Sequence, residues 1–221
     1  MNTTKHSESE FHEIERFLEN EIVPLYDHFD AGHRRDHAHS VMSQCMELAS
    51  FYPEADKAVA LTAAAYHDTG LRAGRKTHHT ESAHIVRTDS RLRRWFSPDE
   101  IELIADAAED HRASLGHEPR TLYGRLVAEA DRLIDADTVV RRTVLYGLDH
   151  YPELTRQQQY ERMRSHMTEK YGRSGYLQLW IPESSNAARL EQLRQLIDNE
   201  QALRQAFDAA YAAVTSTPQQ N

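Results

Sequence analysis

The 221-residue chain is expected to fold as an all-α protein, and three observations carry that expectation. Apolar residues recur three and four positions apart along most of the chain, the period of an amphipathic helix. Helix-start signals precede several of these runs. Residues 7–10 fit a capping box, and Ser97-Pro98-Asp99-Glu100 places Ser at the N-cap, Pro at the first helical position and Glu at the third. Finally, only residues 172–182 have the look of an extended apolar segment, and they fit better as a loop packed across helices, buried in the core rather than at an interface, than as a strand.

After the first capping box, Phe11, Ile14, Leu18 and Ile22 follow at helical spacing, and Pro24 ends or kinks that helix. Residues 26–32 read as a connector. The next helix covers 33–50, with His37, Val41, Cys45 and Leu48 on one face; His33 lies one turn earlier and His39 points away. A third helix begins at Pro53 and runs through an alanine-rich stretch into His67 and Asp68. Gly70 is expected to cap it in the left-handed conformation. A basic loop, 71–76, carries Arg72, Arg75 and Lys76. A short helix opens at 78–83, and another starts at Ser97 and brings His111 onto the face of Ile104. The following helix, 121–136, sets Asp131 between Val127 and Ile134, beside a stripe of Leu122, Leu126, Ala130 and Leu133. Two further helices span 139–148 and 156–171. A last one spans 184–214, with Leu190, Leu193, Ile197, Leu203 and Phe207, and a disordered tail covers 216–221. No linker is visible. The expected organisation is one domain, 1–221, with a metal-bearing core of about 20–137 and a helical extension of about 138–215.

Composition narrows the function classes. The chain is 39% hydrophobic and 28% charged, with a net charge of -9, which argues against a surface built for the phosphates of long nucleic acids. No apolar run approaches the length of a membrane span, and the first residues lack the apolar stretch of a signal peptide. Cys45 is alone, so no disulfide framework exists and a cytoplasmic location is expected. Of 14 histidines, only His150 and His166 lie beyond position 117.

His67 and Asp68 close an apolar helix, where an imidazole and a carboxylate are costly unless something satisfies them. Taken alone, the pair reads as a core histidine beside a solvated carboxylate, and so does His37. Together, His37, His67, Asp68 and Asp131 each occupy the inward face or the end of a predicted helix. Two imidazoles and two carboxylates suit one divalent ion of Mn, Fe, Mg, Co or Zn with positions left open for water or substrate. His79 and His111 are candidates for a second ion bridged by Asp68, for substrate binding or for proton transfer.

The order His37, His67-Asp68, Asp131 resembles the HD-domain superfamily of metal-dependent phosphohydrolases. Further motifs extend the resemblance over about residues 26–135. They are Asp36-His37 followed by Val41, His67-Asp68-Thr69-Gly70, His79-Thr80-Glu81-Ser82, residues 109–114 beginning Glu109-Asp110-His111, and Glu129-Ala130-Asp131-Arg132. The C-terminal part looks like that of a bacterial subgroup without an established substrate. The resemblance implies an all-α HD core that holds metal through His37, His67, Asp68 and Asp131. It implies hydrolysis of a phosphoester or phosphoanhydride bond in a small phosphorylated molecule such as a nucleotide, by metal-activated water. Arg72, Arg75, Lys76 and Arg112 would neutralise phosphate charge; Asp68, His79 and His111 would take part in catalysis. In place of the lysine that often follows HisAsp-x-Gly stand Leu71 and Arg72, so that contact falls to Arg72 or Arg75. No carboxylate lies between Asp68 and Glu81, unlike the single-metal nucleotidases of the superfamily. Two alternatives stand beside this reading: a di-iron oxygenase of HD type, and a nucleotide-binding regulatory protein without turnover. A homo-oligomer is compatible with all three.

Overall fold

A computed structural model describes residues 5–29, 33–132 and 134–216. The described residues are helical without a strand, and the chain forms two compact units. The first comprises residues 1–132 and 180–184, the second residues 133–179 and 185–221.

In the first unit, α1 (Glu8–Phe17) begins with the expected capping box, in which Ser7 and Glu10 satisfy each other's backbone N–H. The chain then widens into a π-helical stretch, Leu18–Ile22, and tightens into a 3-10 stretch, Val23–His28, with Pro24 at its start. That change of pitch turns Tyr26 inward to full burial, although the sequence reads as a connector there. The rest of that connector, residues 30–32, lies outside the described residues. Helix α2 (Arg35–Ala49) buries Ala38, Val41, Cys45 and Leu48.

Helix α3 (Lys57–Tyr66) is the centre of the core. It starts after Asp56, later than Pro53, because the Asp56 side chain accepts from the Ala58 N–H as its N-cap. Every residue from Ala58 to Tyr66 is buried. A helix that is apolar all round has no solvent face to offer, and its small alanines let α2, α5 and α6 approach closely. A 3-10 turn, Thr69–Ala73, leads to α4 (His78–Thr88), which packs along α5 (Pro98–Asp110). Gly70 does not take the left-handed conformation; among the described residues only Gly74 does, at φ 97°. Gly70 is small for another reason. A Cβ there would lie 2.5 Å from the Ser82 nitrogen, 2.8 Å from Glu81 Cβ and still deeper in the His78 carbonyl oxygen.

Helix α6 (Leu122–Ala130) is shorter than the expected 121–136, and Asp131 stands at its C-cap. The chain leaves the helix there, and the Arg132 side chain donates to the His111 carbonyl, at 2.9 Å. Within this unit, the buried Glu129 carboxylate accepts from the Trp180 backbone N–H, and Ile181 joins the core.

The second unit contains α7 (Ala136–His150), α8 (Arg156–Tyr171), α9 (Asn186–Asp198) and α10 (Glu200–Ser216). The single last helix expected from apolar spacing is two helices. Asn199 adopts extended backbone (φ -100°, ψ 96°), and its side-chain oxygen accepts from the Ala202 N–H, which starts α10 afresh. No strand forms in 172–179; Tyr176 and Leu177 donate back to the carbonyls of Glu169 and Lys170 at the end of α8. The expected disordered tail lies outside the described residues beyond Ser216. Among the described residues, no helix is long and apolar enough to cross a membrane.

At the N-terminal end of α3, His6 is held at both ring nitrogens. Nδ1 lies 3.0 Å from Asp56 Oδ2, and Nε2 lies 2.9 Å from the Trp95 carbonyl. A carbonyl only accepts, so Nε2 carries a proton, and the carboxylate calls for a second on Nδ1. Burial opposes that charge, but the bonds to Asp56 and the Trp95 carbonyl outweigh it and raise the His6 pKa. A raised folded pKa gives stability that is complete below about 6.5 and is lost as pH rises through the folded value. The loss of denaturant midpoint caused by His6→Gln should therefore be larger at pH 6 than at pH 9. Equal losses at both would show that His6 is not a charged anchor.

Candidate metal centre

Helix ends deliver the site. His67 is the C-cap of α3 and Asp68 follows it; His111 is the C-cap of α5, and Asp131 that of α6. His37 lies in the first turn of α2, and His78 opens α4. These six side chains form two groups of three whose ligand atoms lie within 4.8 Å of one another: His37, His67 and Asp131, and Asp68, His78 and His111.

Asp68 joins the groups. Its Oδ2 lies 3.5 Å from His37 Nε2 and 3.3 Å from His67 Nε2. Its Oδ1 lies 3.4 Å from both His78 Nε2 and His111 Nε2. One carboxylate oxygen therefore faces each group. Asp131 Oδ1 lies 3.3 Å from His37 Nε2 and 3.9 Å from His67 Nε2. The imidazoles form a continuous series, with ring centres 5.2 Å apart for His37 and His67, 5.1 Å for His67 and His111, and 5.1 Å for His78 and His111.

The ring nitrogens test whether a cation fits. His37 Nε2 and His67 Nε2 are 3.2 Å apart, and His78 Nε2 and His111 Nε2 are 3.1 Å apart. Two neutral lone pairs converging at that distance repel unless a proton or a metal lies between them. Three of the rings have their other nitrogen committed to a backbone carbonyl three residues earlier. His67 Nδ1 donates to Ala64 (2.6 Å), His111 Nδ1 to Ala108 (2.6 Å) and His78 Nδ1 to Arg75 (2.8 Å). These bonds fix the tautomer that leaves Nε2 unprotonated and ready to ligate. Tyr26 supports the same corner, donating to the Ala65 carbonyl at 2.9 Å and accepting from the Asp68 N–H at 3.3 Å. The donor set fits divalent metal ions.

The two carboxylates and the imidazoles around them shift one another's titration. Burial opposes charging of His37, but hydrogen bonds to Asp131 and Asp68 outweigh it and push its pKa up to about 9. Burial likewise opposes ionisation of Asp68 and Asp131, yet the surrounding imidazoles hold both carboxyls below the usual range. His111 is raised, with burial overcome by Asp68, while burial and the neighbouring His111 charge push His78 down to about 4. Burial and the charge of Asp68 raise Tyr26 well above the ordinary phenol value. Metal loading would displace protons from the imidazoles, so affinity should fall at low pH.

The structure brings together His37, His67, Asp68, His111 and Asp131, and with them His78 rather than its neighbour His79. His78 is four residues before the buried Ser82 and eight before Val86, a spacing that His79 shares at three and seven, and it is His78 that joins the centre. Ser82 Oγ accepts from the Gly70 N–H at 2.9 Å, which locks this turn of α4 against the end of α3. His79 sits outside both groups, its Nδ1 buried without a hydrogen-bond partner among the described residues. Burial, Arg112 and His111 lower its pKa. Were each group to hold an ion, His78→Ala should remove one of the two while His79→Ala keeps both; elemental analysis of the purified variants reads the difference.

The expected cations are less gathered. Arg75 Nη2 lies 3.3 Å from His33 Nδ1, whose ring packs 5.4 Å from that of His37. Arg112 donates to the Lys76 carbonyl at 3.1 Å, tying the basic loop to the end of α5. Arg72 is largely exposed and pairs with Glu81 at 3.6 Å. Arg132 is a buried cation beside the centre that helical spacing alone did not single out.

An all-helical core with histidine and aspartate groups that could hold divalent metals is compatible with a metal-dependent hydrolase. The family model for the HD domain matches residues 34–135, the stretch that contains all six of these side chains. Residues 34–135 match the HD domain, in line with the resemblance the sequence shows. No curated protein and no solved structure matches the chain.

Proposed function

We propose that this protein is a metal-dependent phosphohydrolase that cleaves a phosphoester or phosphoanhydride bond of a small phosphorylated molecule, with nucleotides first among the candidates. The observation that supports this most directly is Asp68 standing between two ligand groups with one oxygen toward each. Divalent ions held this way lower the pKa of a bound water and neutralise charge on phosphoryl oxygens. His37, His67 and Asp131 would hold one ion, His78 and His111 the other, and Asp68 both. Arg75, Lys76 and Arg112 border the centre on the basic loop and the end of α5, and are proposed to hold the anionic phosphate. Arg72 would first have to release Glu81. His79, outside the ligand groups, is proposed to exchange a proton with the reacting oxygen.

The test is release of phosphate or pyrophosphate from a panel of nucleotides and phosphomonoesters by protein loaded with Mn, Mg, Co or Fe. Release no greater than that of Asp68→Ala with every metal would sink the reading. The four-imidazole, two-carboxylate set also suits a pair of irons, which supports the oxygenase as second reading. A single metal per chain, or two redox-inert metals after aerobic and anaerobic purification, would remove it.

A further inference from the structure

Arg132 is 5% exposed, and its polar contacts reach both ligand groups. Its Nη1 donates to the His111 carbonyl at 2.9 Å and lies 3.8 Å from Asp131 Oδ2. The other Asp131 oxygen, Oδ1, is the one that faces His37 and His67. The carbonyl belongs to the residue whose Nε2 meets Asp68 Oδ1 in the second group. One guanidinium nitrogen therefore stands between a ligand carboxylate of the first group and the backbone of a ligand of the second. A buried cation next to a site for cations raises the energy of loading by simple repulsion. Its retention there has to be offset by what it orders, because a buried charge is tolerated only when paired and hydrogen-bonded.

We propose that Arg132 is a positioning residue for both ions: it turns one Asp131 oxygen into the centre by facing the other, and it pins the His111 backbone at the distance the shared Asp68 requires. The proposal rests on the two-ion reading of the site. It differs from a purely structural role, in which Arg132 would only fasten the end of α6 to the end of α5. A structural role predicts lower melting temperature with unchanged ion affinity in the folded protein. A positioning role predicts weaker ions in a protein that is still folded.

The experiment titrates the full chain with Co(II), following the visible d–d bands and stoichiometry, in the natural protein, Arg132→Met and Arg132→Lys. Methionine keeps the stem of the side chain and removes the charge and the hydrogen bonds. Arg132→Met is expected to weaken binding by roughly 10–100-fold, the usual effect of losing an outer partner of metal ligands, and to change the band pattern. Arg132→Lys keeps the charge without the planar fork and should fall between. In an Asp131→Asn background the effect of Arg132→Met should shrink, because part of it runs through that carboxylate. Natural affinity and spectrum in Arg132→Met would overturn the proposal, as would an undiminished effect in the Asp131→Asn background. If the methionine variant does not fold, an Arg132→Lys variant indistinguishable from the natural protein would overturn it equally. Failure of the natural protein to bind Co(II), Mn or Fe at all would instead refute the two-ion reading.

Discussion

Replacing Asp68 with alanine in the proposed two-ion site is expected to cost the second ion and weaken the first. Each Asp68 oxygen faces a different pair of imidazoles, at 3.3 to 3.5 Å, so one substitution removes a ligand from each group. The first group keeps His37, His67 and Asp131; the second is left with two imidazoles and no anionic donor. The second ion should therefore be lost outright, and the first should bind more weakly by more than the roughly 10–100-fold that outer partners are worth. Elemental analysis after dialysis against low free metal checks this. A variant that still carries two ions would remove Asp68 from its bridging role. Asp68→Asn separates charge from shape, since the amide keeps one oxygen but presents N–H groups to the other pair of rings. It should retain the first ion better than the second.

Gly70→Ala is expected to be the most damaging small substitution. The added Cβ would enter the His78 carbonyl oxygen and lie 2.5 Å from the Ser82 nitrogen, and neither is the free end of a flexible side chain. Either the turn after Asp68 or the first turn of α4 must move. Overpacking of a tight core costs about 1–3 kcal/mol and occasionally more, and backbone against backbone belongs at the upper end. The displaced residues include His78, so the same change should lower the content of the second ion. Chemical denaturation together with metal analysis tests both halves. A stable variant with two ions would mean that the close approach of α4 to this turn is not required.

Much of the centre was legible from residue patterns because helix periodicity is a reliable guide in mid-helix and at helix ends. His37 shares a face with Val41 and Cys45, and His111 with Ile104, and both imidazoles point inward as that spacing requires. His67-Asp68 was visible as a polar interruption at the end of an apolar run. The choice between His78 and His79 was not, because two histidines open the helix together and the buried positions Ser82, Ala83 and Val86 lie at helical spacing from either one. What decides is the closeness of α4 to Gly70, a tertiary contact. Apolar spacing overstates the length of α6 for a related reason. The apolar stripe of the sequence continues to Leu133, but the helix ends at Ala130 with Asp131 as its C-cap. Asp135, which caps α7 by accepting from the Thr138 N–H at 2.8 Å, was the available signal for a new helix. In the same way apolar spacing runs through Ile197 to Leu203, and only the capping chemistry of Asn199 marks the break between α9 and α10.

The carbonyl partners of His67, His78 and His111 have a consequence for the cost of capture. Each ring is aimed by the turn of chain just before it, through the same three-residue step. Rotamer and tautomer are thereby chosen when the chain folds, and the entropy of fixing these rings is spent then. An arriving ion does not have to order them, so less of its intrinsic affinity is consumed in assembling its own cage. Folding free energy spent on these three helix turns would then leave the rings ordered in advance for an ion, and capture would need no rearrangement of them.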